Sequence, residues 1–249
     1  MREAFRARGH DAYSCDLLPA ADGSQYHIQA DVRMALDGWV PVRFAADCDP
    51  DGDGWCQAFD VDPCDCSCIG PTQDGIEYVE LDGVLWGRPS GAPRWDLLIA
   101  HPPCTYLSVS GMHRTVRGLR DPKLTEDALA FVRLLMDAPI ERIAIENPVS
   151  VISTRIRKPT QIIQPYEFGH DASKTTCLWL KNLPRLKPTR YVEPRMVDGL
   201  PRWSNQTDSG QNRLSPGPER WRLRSETYTG IAEAMADQWG RASDFELTA

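Results

Sequence analysis

The chain has 249 residues, 41% of them hydrophobic and 25% charged, with a formal net charge of −7. That length can bury a sizeable core, and the balance is that of an ordinary globular protein. With no apolar run near the ~20 residues of a bilayer span, it predicts no membrane helix.

Charge is unevenly spread. Residues 1–150 hold 13 Lys and Arg against 24 Asp and Glu, a net of −11, whereas residues 155–224 hold 14 against 6, a net of +8. A basic face beside an acidic body suits an enzyme acting on DNA, and equally an Arg-rich solvated surface. The opening MREAFRARGH lacks the apolar segment of a secretory signal, which predicts a cytoplasmic protein with reduced thiols.

REAFRARGH has helix-forming composition with Gly9 as its stop, and DAYSCDLL reads as a short strand closed by Pro19. YHIQADVRMALDG predicts a strand ending near Asp31 and then one or two helical turns. A chain that opens on a helix feeding a strand reads as a βαβ unit without its first strand. Residues 41–93 break the pattern with Asp, Gly, Pro and Cys, and read as an insert with a hairpin at IEYVELDGVLWG, turning at Asp82-Gly83.

WDLLIA is a continuous apolar run, the type found in a strand covered on both faces. KLTEDALAFVRLLMDAP predicts a helix capped by Thr125, with Leu124, Ala128, Val132 and Leu135 on one face. ERIAIENP predicts a second buried strand, and strand–helix–strand in that order implies a parallel pair. TQIIQPYEFG and TTCLWLKNL read as strands, with an antiparallel pairing open to them. Residues 185–220 read as an irregular basic segment. TYTGIAEAMADQW closes as a helix with Ile231, Met235 and Trp239 four apart.

In an open α/β sheet, ligands gather beyond the carboxyl ends of the strands, and Asp16, Cys104 and Glu146 all fall at such ends. A thiolate at Cys104 can add to an electron-poor ring carbon, while a carboxyl at Glu146 engages a ring nitrogen and draws charge away. On a pyrimidine, attack at C6 makes C5 nucleophilic. Pro102 and Pro103 stiffen the loop before the cysteine. Taken singly, Cys104 also reads as a small buried hydrophobe and Glu146 as a salt-bridged carboxylate.

These segments, in this order, resemble the DNA cytosine-C5 methyltransferases. DLLIAHPPCTYLSVSG resembles that family's Pro-Pro-Cys nucleophile loop, and IAIENP its Glu-Asn-Val motif with proline in the last place. AYSCDLL and IQADV are similar to the two motifs whose acidic residues hold S-adenosylmethionine, and TYTGIAEAMADQW to the last motif, a helix beside the cofactor. FGHDASKTTCLWLKNLPRLKPT is similar to a segment of phage-borne members.

The resemblance implies a Rossmann-like α/β methyltransferase fold with a mostly parallel sheet, one domain over residues 1–249. Within it fall the insert at 41–93 and target recognition at 185–220. It implies S-adenosylmethionine as cofactor, with Asp16 at the ribose, Asp31 at the adenine and Pro102 nearby. Cys104 and Glu146 would be catalytic on a flipped-out cytosine, with Pro103, Ser108, Asn147 and Lys174 beside the base or the DNA. A monomer is favoured.

The family's first, Gly-rich motif would precede Met1, its Gln-x-Arg-x-Arg motif is not visible, and its last motif lacks the Gly-Asn pair. A relic that binds DNA without catalysis, or an enzyme modifying another pyrimidine, therefore stand as alternatives. An amino-methyltransferase would carry an aromatic where Cys104 stands.

Five of the eight cysteines, Cys48, Cys56, Cys64, Cys66 and Cys68, crowd into the insert. Cys48, Cys56, Cys64 and Cys68 could hold a structural zinc, although the paired C-x2-C knuckles are missing; reduced thiols in a flexible insert are the other reading. DCDPDGDG has the phase of a calcium loop, with Asp47, Asp49, Asp51 and Gly52, but Ala58 stands where a bidentate Glu belongs.

Overall fold

A computed structural model describes residues 1–41, 76–81, 84–89, 95–215, 217 and 220–240. The helices are α1 (Arg2–Arg6), α2 (Val32–Leu36), α3 (Val109–Val116), α4 (Lys123–Met136), α5 (Ile152–Arg155), α6 (Arg220–Ser225) and α7 (Thr229–Trp239). The strands are β1 (Ser14–Asp16), β2 (His27–Gln29), β3 (Val40–Pro41), β4 (Ile76–Leu81), β5 (Val84–Pro89), β6 (Leu97–Ala100), β7 (Arg142–Pro148), β8 (Gln161–Ile163), β9 (Thr176–Lys181), β10 (Arg195–Val197) and β11 (Leu200–Arg202). The chain divides into two compact units, one of Met1–Ala12 with Leu97–Ala249 and one of Tyr13–Asp96.

The first unit is built on a four-stranded sheet in the order β6-β7-β9-β8. β6 and β7 are parallel, as their linkage through α4 predicts, and β9 runs antiparallel to both β7 and β8. Three of the four strands therefore share a direction, and the sheet is mixed. β7 and β9 are nearly continuous buried runs, and the face bearing Ala144, Leu178 and Leu180 packs on Ile231, Met235 and Trp239 of α7 and Phe5 of α1. The spacing of four that marks α7 in sequence is thus the stripe that it buries. β6 differs from the expectation: its four residues are only half-buried, and among the described residues β7 is its one partner in this sheet.

α4 forms where the periodicity places it, with a shifted face. Its buried residues are Thr125, Leu129, Val132 and Leu135, while Leu124 is exposed. Thr125 does not cap the helix. Pro122 holds that position, and the Thr125 hydroxyl donates to the Tyr106 carbonyl at 3.2 Å. The expected irregularity of 185–220 is interrupted by the antiparallel hairpin of β10 and β11. Asp198 and Gly199 form its tip, both at positive φ (50° and 75°), the pairing that a tight two-residue turn demands.

The second unit holds the parallel pair β1–β2 and the antiparallel sheet β3-β5-β4. The register of β4 on β5, with Leu81 opposite Val84, gives the expected hairpin; its turn residues Asp82 and Gly83 lie outside the described residues. Ile28, Ala35 and Trp86 form a small core. The Cys48, Cys56, Cys64 and Cys68 zinc reading and the calcium reading also fall outside the described residues; among those described, no group of three or more His, Cys, Asp or Glu could hold a metal ion.

Candidate active site

The parallel register of β6 on β7 pairs Ala100 with Ile145. One step further along both strands, the same register brings His101 beside Glu146. Their side chains meet there, with His101 Nδ1 2.6 Å from Glu146 Oε2. The next residue pair is tied as well: Asn147 Nδ2 donates to the Pro102 carbonyl at 2.8 Å, in the interior. A loop that contains two prolines can offer few backbone donors, so it is held through its carbonyls.

Beyond Pro103 the chain makes a single 3-10 turn over Cys104–Tyr106, and the Cys104 carbonyl accepts from the amides of Leu107 (3.1 Å) and Ser108 (2.8 Å). The segment after β7 clamps this loop from the other side, with Val109 N donating to Val149 O (3.2 Å) and Val151 N to Leu107 O (3.0 Å). Ser108 is the N-cap of α3, its hydroxyl accepting from Gly111 N at 3.2 Å. Pro102 is buried, whereas Pro103 and Cys104 are exposed. Asn147 is 1% exposed and its Oδ1 has no partner, as has the buried Ser150 hydroxyl close by in the chain.

The described cysteines sort by environment. Burial, then the charge of Asp16, pushes the Cys15 thiol up to about 11, and burial, then Glu146, raises that of Cys177. Both stay protonated and unreactive at neutral pH. Cys104 is the exposed one.

Glu146 and His101 open into a cleft also lined by Lys174, Thr176, Thr227, Tyr228, Ile231 and Met235. The cleft has an apolar floor from α7 and a charged rim. The Glu146 side chain keeps 16% of its exposure and that of His101 34%. Burial opposes the Glu146 charge, yet the hydrogen bond and charge of His101, with Lys174 behind them, hold its pKa below the ordinary carboxylate value. Lys174 is placed at this site, but its ammonium is not left for DNA alone: Nζ donates to the carbonyls of Arg224 (2.9 Å) and Glu226 (3.5 Å) and lies 5.9 Å from the Tyr228 ring.

Cys104, Glu146, Pro102, Pro103, Ser108, Asn147 and Lys174 thus belong to the first unit, and all lie in or beside the β6 and β7 ends. Asp16 and Asp31 belong to the second. Asp16 is exposed at the end of β1 and accepts the Leu18 amide at 2.9 Å. The turn after it is held from β2, where His27 Nε2 donates to Leu18 O (2.8 Å) and Gln29 to Leu17 O (3.3 Å). Leu17 and Leu18 stay 71% and 58% exposed beside the carboxylate. Asp31 caps α2, accepting from Arg33 N at 2.9 Å and pairing with the Arg33 guanidinium at 3.0 Å.

His101, Tyr228 and Thr227 are the residues that sequence reasoning missed. His101 stands one residue beyond a strand end, and it is the register of β6 on β7, visible in the fold alone, that puts it beside Glu146. Compared with models of protein families, with curated proteins and with solved structures, the chain matches none.

Proposed function

We propose that this chain transfers a methyl group from S-adenosylmethionine to C5 of cytosine in DNA, through a covalent bond between Cys104 Sγ and C6. The observation that carries the reading is the coupling of an exposed Cys104 to Glu146 through one clamp, the Asn147–Pro102 hydrogen bond between neighbouring strand ends. Such a clamp keeps a nucleophile and a proton-handling group at a fixed separation. The finer Rossmann-like methyltransferase fold belongs to the same proposal, supported by the parallel β6–β7 and β1–β2 pairs.

The residues of the second unit fit the cofactor's adenosine. Asp16 has one oxygen engaged by Leu18 N and lone pairs left for ribose hydroxyls, and the exposed Leu17 and Leu18 offer apolar surface to a purine. Asp31 retains acceptor capacity for an amino group beside its cap and ion pair. Bound there, S-adenosylmethionine supplies an electrophilic methyl group.

The chain's own residues do the rest. The base must be flipped out of the stack to reach Cys104. When the thiolate bonds to C6, the C5=C6 pair shifts to C4–C5 and the C4=N3 pair to N3. N3 takes a proton from the His101–Glu146 pair, which leaves C5 nucleophilic. After methylation a solvent base removes the C5 proton, C5=C6 re-forms and the thiolate leaves, with the N3 proton returning to the pair.

Base-resolution mapping of 5-methylcytosine in DNA incubated with the purified chain and the cofactor tests this. New 5-methylcytosine is expected, and none with Cys104→Ser. Tight DNA binding without methylation by the wild-type chain would favour a DNA-binding relic, and methylation of free nucleotide alone would favour another pyrimidine substrate.

A further inference from the structure

The cytosine reading leaves a chemical gap at Glu146, and the neighbouring strand end fills it. Protonating N3 requires an acid, whereas among the described residues Glu146 faces groups that favour its carboxylate or leave it unopposed. From the loop after β6 comes His101 at 2.6 Å; from the segment before β9, Lys174; from β9 itself, the raised and neutral Cys177 thiol; from the start of α7, the phenol of Tyr228. Ile231 and Met235 of α7 add no charge. Of these groups, an imidazole alone gains and loses a proton near neutral pH. Its Nδ1 is already on the carboxylate oxygen.

We infer that His101 is a positioning residue and proton reservoir for the C5-methylation reaction, loading Glu146 with the proton that reaches N3. This rests on the cytosine reading of the site. The transfer is balanced: as N3 takes a proton from the Glu146 carboxyl, Glu146 recovers one from His101 Nδ1, and imidazolium becomes imidazole. On expulsion of Cys104 the N3 proton travels back. Two residues separated by 45 positions in sequence act as one acid because the β6–β7 register sets them side by side.

The placement also distinguishes a proton role from a structural one. The loop is already clamped by Asn147 on Pro102 and by the backbone bonds to Val149 and Val151. His101 keeps 34% exposure, so it exchanges its proton with solvent between turnovers and is not a core group.

The test is covalent trapping on duplex DNA in which every cytosine is 5-fluorocytosine, with S-adenosylmethionine, across pH. Fluorine at C5 cannot leave as a proton does, so the adduct at Cys104 accumulates. The wild-type rate should pass through a maximum in pH, because the step needs a thiolate and a protonated acid together. His101→Asn keeps a hydrogen-bond donor and holds no transferable proton. It should trap roughly 100-fold more slowly on the acid side, with the falling limb gone. A wild-type rate and profile in His101→Asn overturn the inference and leave the nucleophile reading intact. No adduct in the wild type at any pH overturns that reading and the inference with it.

A second measurement needs no turnover and no folded His101 variant. The 15N resonance of His101 Nδ1, followed by NMR in the wild-type chain and in Glu146→Gln, should move when the carboxylate it touches is neutralised. An unmoved resonance overturns the coupling.

Discussion

The two units carry acidic groups at strand ends that differ in kind. Glu146 stands at the end of a strand buried in a four-stranded sheet, backed by α7 and paired with an imidazole. Asp16 stands at the end of a three-residue strand over a small core and is met by a backbone amide, its surroundings open. Both ends are braced from the neighbouring strand, by Asn147 in one and by His27 and Gln29 in the other. Burial separates them. A half-buried carboxylate with a titratable partner can exchange protons with a substrate, whereas an exposed one capped by the backbone serves as a fixed acceptor.

Removing the support under Glu146 should have the largest effect. Trp239 is fully buried in the core behind β7, and its indole N–H donates to Pro184 O at 3.1 Å. Trp239→Ala should cost about 3–5 kcal/mol in urea unfolding; a loss below about 1 kcal/mol would show that α7 is not what backs the sheet. Next is the clamp. Asn147→Ala leaves the buried Pro102 carbonyl without its donor and should cost about 1–3 kcal/mol. Faster hydrogen exchange should follow at the amides of Leu107 and Ser108, and unchanged exchange would mean that the backbone bonds alone hold the Cys104 loop.

On the open side the expected losses are smaller. Asp31→Ala removes the cap of α2 and should cost about 1 kcal/mol, while Asp31→Asn keeps most of it. Equal losses from both would shift the weight from the cap to the Arg33 ion pair. Smallest is a difference in acid sensitivity. Because the folded Glu146 carboxyl lies below its ordinary 4.5, its contribution to stability is full above that value and is lost as pH falls through the lower, folded one. Glu146→Gln should flatten the stability curve below about pH 4.5; an unchanged acid limb would contradict the pairing with His101.

Elements with a strong period were legible in the sequence: α4, α7, β7 and β9 stand where apolar spacing put them, because their burial is what the spacing encodes. Detail that depends on tertiary partners was not. Val132 and Leu135 of the α4 face are buried as expected, while its first half moves from Leu124 and Ala128 to Thr125 and Leu129, where the Thr125 hydroxyl reaches Tyr106; the half-burial of β6 was not legible, since its run LLIA says nothing of how many strands flank it. Asp198-Gly199 carried a hairpin signal that the prolines around it obscured.

At the site, Cys104 and Glu146 were legible from strand ends and motif order. His101 was not, since one histidine before two prolines has no period, and its partner is set by register. Lys174 was legible as a charge near the site, while its bonds to the carbonyls of Arg224 and Glu226 required the fold.

The central claim is that Cys104 was placed by the β6–β7 end to attack a pyrimidine. Mass spectrometry of the peptide containing Cys104, after incubation with 5-fluorocytosine DNA and S-adenosylmethionine, tests it most directly. The account predicts a methylated, fluorinated nucleotide attached at Cys104 and none at Cys15 or Cys177. A wild-type peptide that stays unmodified, or an adduct that persists on another residue in Cys104→Ser, would contradict it.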